Sequence, residues 1–330
     1  MIENEAMMIT VLLLSAGTRN KVVQYFKKSL EGIGRVIATD CSELAPAIHE
    51  ADKYYIVPRI DAPDYLQMIL NICKEESVDG VLSLIDPELS LIAEHKQDFL
   101  EIGCTPIVSE AEQVELCFDK YKMFSFLKEH GFHTAKSYQD LATFQKDLAS
   151  GDITFPVFVK PIKGSASINI NKVNSVREVE LLFDLYDDLM IQEYMNGTEF
   201  GADVYIDMIS GEIISIFTKE KIKMRAGETD KAVSVKDEKL FNVIQNFVKT
   251  AGFRGMIDID LFLVNGEYYI SEVNPRFGGG YPHAYACGVN TPQLIVNNLS
   301  GNKNTPEIGA YKEGIYMMKY NEIMIKDGIG

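Results

Sequence analysis

No apolar run in the chain approaches the roughly 20 residues that span a bilayer. The longest candidate near the start, Ile9 to Leu14, is short and follows the acids Glu3 and Glu5. A secretory leader needs a basic start and a longer apolar stretch, so none is expected. Basic charge is scarce: 32 Lys and Arg against 48 Asp and Glu leave a formal net charge of -16. Such a surface repels nucleic acid and anionic membrane. The cysteines, Cys41, Cys73, Cys104, Cys117 and Cys287, are scattered, odd in number and without CxxC spacing. Free thiols in a reducing, cytoplasmic setting are expected, rather than a disulfide framework or a zinc site. No Ser-His-Asp or Cys-His nucleophile stands out among 5 histidines. The phosphate loop GxxxxGK[ST] is absent, and Ser15-Ala16-Gly17 after the first apolar run supplies one glycine instead of GxGxxG. That absence counts against an NAD-dependent oxidoreductase. No internal repeat or low-complexity tract interrupts the sequence.

What remains is an ordinary folded composition, 46% hydrophobic and 24% charged, in 330 residues, enough for two or three structural units. Ile9 to Leu14 is continuously apolar, as a parallel strand buried on both faces would be. Lys21 to Leu30 reads as a helix, Arg35 to Ala38 as a strand ending near Asp40, and Tyr54 to Val57 as a third strand. Asp64 to Glu76 has helical spacing at Leu66, Ile69, Leu70 and Cys73. Gly80 to Ile85 is another strand, closed by the turn Asp86-Pro87-Glu88. This alternation predicts a small doubly wound, Rossmann-like domain to about residue 110. Asp119 to His130 follows as a helix. Beyond Phe155 the strands come as hairpins: Gly201 to Met208 with Glu212 to Thr218, and Met256 to Val264 with Tyr268 to Val273 across Asn265-Gly266. Helices such as Lys239 to Thr250 make this part α+β. Residues 1 to 6 read as a frayed tail.

Three stretches carry chemistry. Phe155-Pro156-Val157-Phe158-Val159-Lys160-Pro161 ends a β-rich run in a lysine, and Lys163-Gly164-Ser165-Ala166-Ser167-Ile168 follows. Small residues let backbone N–H groups approach an anion, which suits a polyphosphate; a flexible surface turn is the alternative. Asp260, Glu272 and Asn274 lie on the two strands of one hairpin. These hard oxygen donors suit Mg²⁺ completed by phosphate oxygens, while a solvated sheet face is the plain alternative. A strict two-residue turn would set Ile259 against Glu272. A three-residue loop with a bulge would set Asp260 against Glu272, and that register is expected because it gathers the three donors on one face. Finally, Gln192-Glu193-Tyr194-Met195 can flank a flat heterocycle, and Glu199 can accept hydrogen bonds from ribose hydroxyls.

In this order the motifs resemble those of the ATP-grasp superfamily, and most of all its single-unit, carbamoyl-phosphate-synthase-like ligases. The likeness covers nearly the whole chain. It rests most specifically on the 155–161 run and on Glu272-Val273-Asn274-Pro275-Arg276. It implies a Rossmann-like pre-ATP-grasp domain over 1–112, a small lid subdomain with its linker helix over 113–190, and a large subdomain over 191–330. It implies that Lys120 and Lys160 hold ATP phosphates, with Lys163, Gly164, Ser165 and Ser167 in the lid. Gln192 to Met195 would form the adenine hinge, Glu199 the ribose acid, and Asp260, Glu272 and Asn274 the ligands of Mg²⁺ or Mn²⁺. Arg276 would lie near the transferred phosphate. The activity implied is an ATP-dependent carboxylate–amine ligase working through an acyl phosphate, with release of ADP and phosphate. Carboxyl phosphate formation, as in carbamoyl phosphate synthesis, is the alternative, although the usual large subunit carries two such units and this chain one. A non-catalytic nucleotide-binding module is the alternative of another class.

Lys219 to Glu228 is basic in an acidic protein and resembles a loop facing the cleft. Arg225 is its best candidate for contact with the triphosphate or an anionic substrate. Arg19 and Asp86, at strand ends, are acceptor-substrate candidates, with a helix cap as the other reading of Asp86. Gly278-Gly279-Gly280 reads as a mobile substrate loop, and His283 as a structural or orienting residue rather than a base. The partners expected are a small carboxylate and an amine, without nucleic acid or membrane; a second copy of the chain is a further candidate.

Overall fold

The computed structural model describes residues 8–164, 170–225 and 227–328. The frayed tail expected at 1–6 lies outside them. Five parallel strands form the first sheet: β1 (Ile9–Leu14), β2 (Gly34–Asp40), β3 (Lys53–Ile56), β4 (Gly80–Ser83) and β5 (Thr105–Pro106), in the order β3-β2-β1-β4-β5. All six residues of β1 are buried, as its unbroken apolar run requires of a central strand. Helices α1 (Asn20–Ser29), α2 (Tyr65–Glu75), α3 (Asp86–Glu94) and α4 (Lys96–Glu101) cover this sheet, and α5 (Ala111–Phe118) leads out of it. The turn expected at Asp86-Pro87-Glu88 is instead the first turn of α3. Proline there supplies a helical φ where no N–H partner exists.

Helix α6 (Lys120–Glu129) opens the second part. The side chain of Asp119 caps it, accepting from Tyr121 N at 3.1 Å and Lys122 N at 2.9 Å. A four-stranded antiparallel sheet follows, ordered β6-β9-β7-β8, from β6 (Ser137–Tyr138), β7 (Val157–Pro161), β8 (Asn171–Val173) and β9 (Leu189–Glu193), with α7 (Leu141–Ser150) and α8 (Val176–Leu185). Strand β9 runs across the division expected at 190/191, because its whole length pairs with β7.

The third sheet is six-stranded and antiparallel, ordered β14-β13-β10-β11-β12-β15. Its strands are β10 (Thr198–Ile206), β11 (Ile213–Arg225), β12 (Glu228–Ser234), β13 (Gly255–Val264), β14 (Glu267–Asn274) and the short edge strand β15 (Tyr316–Met318). Helix α9 (Glu238–Ala251) packs its apolar stripe, Leu240, Ile244, Phe247 and Val248, on one face, between a capping Asp237 and a left-handed Gly252. Helices α10 (Tyr281–Ala286) and α11 (Thr291–Leu299) complete the fold. Residues 219–225, expected as loop, continue β11 as strand, and only the turn to β12 interrupts them.

The β13–β14 hairpin reaches the expected pairing by another route. Its turn is a strict two-residue turn, with Val264 opposite Glu267 and positive φ at Asn265 (51°) and Gly266 (82°). Leu261 still pairs with Ile270, but Asp260 pairs with Glu272, so Ser271 is an extra, bulged residue. The bulge switches parity within two residues: Ile270 points into the core and Glu272 away from it.

One apolar core joins the first sheet to the third. Val11, Leu13, Val36 and Phe26 lie in the same cluster as Ile257, Ile259, Leu261 and Phe277. At this seam Phe26 meets Phe277 edge-on at 5.9 Å, and Tyr25 stacks on Tyr285 at 3.5 Å. The seam fixes the crest of the first sheet, where β1 and β4 end, against the open face of the third.

Candidate active site

Alternation along the third sheet turns Ile257, Ile259 and Leu261 inward and leaves Asp258, Asp260 and Phe262 on the face toward the first sheet. That face is one wall of a cleft of about 460 Å³, whose opposite wall includes Arg19, Leu84, Ile85 and Asp86. Cross-strand pairing sets Asp260 beside Glu272, and Asp258 beside Asn274. An adjoining recess is lined by Lys120, Gly164, Glu272 and Asn274.

Two lysines approach this wall, Lys160 from the small sheet and Lys120 from the head of α6. Lys160 is buried, and its ammonium donates to Gln192 Oε1 at 2.7 Å. Phe158 is the cross-strand partner of Gln192, so Lys160 reaches it diagonally on the same face. Burial lowers Lys160 to about 8, against the pull of Glu272, and the neighbouring Lys120 pushes the same way as burial. Lys120 is also lowered by burial, opposed by Glu272, Asp86 and Asp119. Glu272 is thus the shared counter-charge of both lysines. Lys120 Nζ bonds the carbonyl of Gly164, and Lys120 N donates to Ile162 O at 3.0 Å. These bonds tie the root of the 163–168 stretch to the head of α6. Lys163 is exposed at that root; Ser165 and Ser167 lie outside the described residues.

The hinge candidates divide. Gln192 and Glu193 are residues of β9, not of an extended link. Gln192 spends its side chain on Lys160 and on Ser137 Oγ, to which it donates at 3.1 Å. Glu193 accepts from the backbone of Lys136. Tyr194 and Met195 follow, half-buried, with the ammonium of Lys172 3.8 Å above the Tyr194 ring. Glu199 does line the cleft.

Arg276 is largely buried and donates from Nη2 to Asp86 Oδ2 at 2.8 Å and to Asn274 Oδ1 at 3.2 Å. Burial opposes its charge, but Asp86, Asp258 and Glu272 raise it on balance. Asp86 makes no side-chain cap at α3. Its carboxylate is committed to Arg276 across the seam, so the cap reading gives way to an ion pair. Arg225 sits at the far end of β11, half-exposed and paired with Asp230 at 2.9 Å, and is not among the cleft residues.

The residues that sequence reasoning passed over are the other lysines of that strand. Lys221 bridges Glu199 at 3.0 Å and Asp260 at 2.5 Å. Burial lowers its pKa, but the carboxylates Asp260, Glu199 and Asp258 outweigh it and raise the group overall. Lys219 is 1% exposed and paired with an equally buried Asp203. Both lysines lie across β10 at Gly201, where a Cβ would meet their Cε atoms at 3.0 Å. A glycine inside a strand and lysines at alternate positions were the available signals. The Gly278–Gly280 run, read as mobile, is likewise set by close approach. A Cβ at Gly278 would fall 2.4 Å from the Asp258 carboxylate, at Gly279 2.8 Å from Arg19 Nη1, and at Gly280 2.8 Å from Lys219 Nζ. His283 is buried and bonds Ile315 O through Nε2 at 2.8 Å, a structural placement.

Among the described residues no group of three His, Cys, Asp or Glu side chains closes on a metal position. Two facing carboxylates and the Asn274 amide are what the wall offers, and one oxygen of Asp260 is engaged by Lys221. That set is too small for a protein-only cage. It fits a hard cation whose remaining ligands are phosphate oxygens and water.

Two known family models match the chain. The PylC-like, N-terminal domain matches residues 11–107, and the ATP-grasp domain matches residues 117–280. The chain belongs to the ATP-grasp superfamily. It is 26% identical over 318 residues to a carbamoyl-phosphate synthase of Methanobrevibacter smithii, covering 90% of this chain and 82% of that protein. The fold of this ATP-grasp chain matches, with a TM-score of 0.74 and 16% identity, the biotin carboxylase domain of 2-oxoglutarate carboxylase from Hydrogenobacter thermophilus. The match covers 94% of this chain and 73% of that one, which was solved as a dimer with MgADP, ADP and bicarbonate. An L-amino acid ligase from Bacillus licheniformis matches with a TM-score of 0.67 and 20% identity, over 88% of this chain and 74% of that one. No helix among the described residues is long and apolar enough to cross a membrane.

Proposed function

We propose that the protein is an ATP-dependent carboxylate–amine ligase that works through an acyl phosphate and releases ADP and phosphate. One observation carries this reading: Lys120 at the head of α6, Lys160 on the small sheet, and Asp260, Glu272, Asn274 and Arg276 on or just after the third sheet gather about one cleft wall, with Glu272 as their common neighbour. A carboxylate and a triphosphate repel each other, so their reaction needs positive charge and fixed geometry more than it needs a nucleophilic side chain. Lys160 and Lys120 hold the phosphates, and Glu199 receives the ribose hydroxyls. Tyr194 and Met195 flank the base, while Gln192 holds Lys160 in place. The root of the lid, Lys163 and Gly164, is moored to Lys120. Asp260, Glu272 and Asn274 hold the cation, which when bound neutralises the phosphate oxygens. Under this reading the units are 1–112 for substrate, 113–190 for the lid, and 191–330 for nucleotide and metal.

The substrate carboxylate oxygen attacks the γ-phosphorus, and the bond to the β–γ bridging oxygen breaks to release ADP. Arg276 steadies the transferred phosphoryl group. An amine then attacks the acyl carbon, loses a proton, and expels phosphate with its new oxygen. The likeness to carbamoyl-phosphate synthase favours a second reading, in which bicarbonate is the carboxylate. Phosphate release from Mg-ATP across carboxylates paired with amines tests the first. Release that needs only bicarbonate selects the second, and nucleotide binding without release under any pairing leaves a binding module.

A further inference from the structure

We propose that the amine substrate is an amino acid, held by its carboxylate at Arg19 and by its ammonium between Asp258 and Asp86. This rests on the ligase reading and adds the substrate class. The part of the cleft lined by Arg19 and Glu228 has an uneven set of charges. Glu228 Oε1 accepts from Arg19 Nη1 at 2.6 Å, and Glu228 Oε2 accepts from Lys319 at 2.6 Å. One carboxylate therefore answers two cations, and Arg19, which lines the cleft, keeps donors free. An anion completes that set, and the planar guanidinium suits a carboxylate.

Carboxylate oxygens without a hydrogen-bond partner lie close by. Asp258 lines the cleft and carries no hydrogen bond or ion pair among the described residues. Asp86 is 8% exposed, and its Oδ1 is buried with no partner, although Oδ2 is bound to Arg276. A buried carboxylate oxygen left bare is costly, and an ammonium supplies the missing donors. Gly278 abuts Asp258 and Gly279 abuts Arg19. Successive Cα atoms are about 3.8 Å apart, so the acid and the guanidinium flank one short piece of chain, within roughly 12 Å of each other. An α-amino acid, with an ion contact of about 2.8 Å at each end, spans such a gap. The ammonium end then lies toward Arg276, where the acyl phosphate would form. A simple amine leaves the free donors of Arg19 unmatched, and a simple carboxylate leaves Asp258 and the bare oxygen of Asp86 unmatched.

The test is calorimetric titration of the protein, loaded with Mg²⁺ and a non-hydrolysable ATP analogue, with the standard amino acids, their methyl esters and their decarboxylated amines. At least one free amino acid is expected to bind roughly 10- to 100-fold more tightly than its ester or its amine, the range for one charge-assisted contact. Arg19→Met should weaken the amino acid to the level of its ester and leave the decarboxylated amine unchanged. Asp258→Asn should weaken both, and by more than it weakens the ATP analogue. Equal binding of amino acid, ester and amine overturns the proposal, as does binding of none of them, or an Arg19→Met protein that still discriminates. Turnover with plain amines but not with amino acids would leave the ligase reading standing and remove this inference. Amino-acid binding without turnover would do the reverse.

Discussion

Glu272 sits where three demands meet: it faces Asp260, it lies at the recess beside Lys120, and it is the counter-charge of Lys160. Glu272→Gln keeps shape and removes charge from the cation site. Turnover should fall roughly 100- to 1,000-fold, the cost of one electrostatic contact made in the transition state. The melting temperature without ligand should barely move. Turnover close to wild type in a folded Glu272→Gln protein would place the cation elsewhere. Lys160 gives a pH signature. In the proposed site its ammonium holds the triphosphate, so nucleotide binding should raise a pKa that is about 8 in the free protein. Mg-ATP affinity should hold below that pH and fall about tenfold per unit above it, with proton uptake on binding. Lys160→Met should bind weakly with no such step, and a wild-type affinity that is flat through pH 9 would contradict the assignment. Lys219→Met strands Asp203 in the core and should cost about 3–5 kcal/mol, whereas Lys219→Met with Asp203→Leu should recover most of it. Denaturant unfolding of the two variants separates these outcomes. Lys160 and Glu272 were legible in the sequence because each ends or follows a β-rich run in a motif. Lys219 and Lys221 were legible only as charge, since their partners on β10 and β13 are distant in sequence and Gly201 alone hints at the space between them.

At the scale of elements, the first four strands of the first sheet and the two hairpins of the third followed from apolar runs and turn residues. The Asn265-Gly266 turn is as its sequence demands, both residues having positive φ. Gly266→Ala should therefore lose about 1–2 kcal/mol. Its turnover should be unchanged, since the turn lies at the other end of the hairpin from Asn274. A thermal melt and a rate on the same sample check this, and lost turnover in a fully folded variant would contradict it. The bulge at Ser271 was not legible. A two-residue turn and an Asp260–Glu272 pair are incompatible without an extra residue, and side-chain pattern alone does not say whether it sits in the turn or along the strand. The same ambiguity hid the strand in Lys219 to Arg225. Its charges suggested solvent, but Asp203, Glu199 and Asp260 give Lys219 and Lys221 partners inside the fold. Helix α3 was read as a turn, with a helix start left only as the other reading of Asp86, because Asp-Pro signals both.

Over the whole molecule, function depends on a seam. Phe26, Phe277, Tyr25 and Tyr285 lock the first sheet to the third, and this holds Arg19 and Asp86 against the wall that bears Arg276. The small sheet brings Lys160 to the same wall from the other side. Nothing in a single segment announces the cleft, because its charges come from segments far apart in sequence. Under the proposed reaction the net charge of -16 adds a requirement, for two anionic substrates would have to enter an acidic protein. Positive charge concentrated at Lys120, Lys160, Arg276 and Arg19 meets it locally. The central claim is that a carboxylate oxygen is phosphorylated and then leaves with phosphate. Its most direct test uses an ¹⁸O-labelled carboxylate in a productive pairing with Mg-ATP and an amine, with ³¹P resonance of the released phosphate. The account predicts one ¹⁸O in each phosphate formed. Phosphate free of label, with the label retained in the product, would contradict the acyl phosphate.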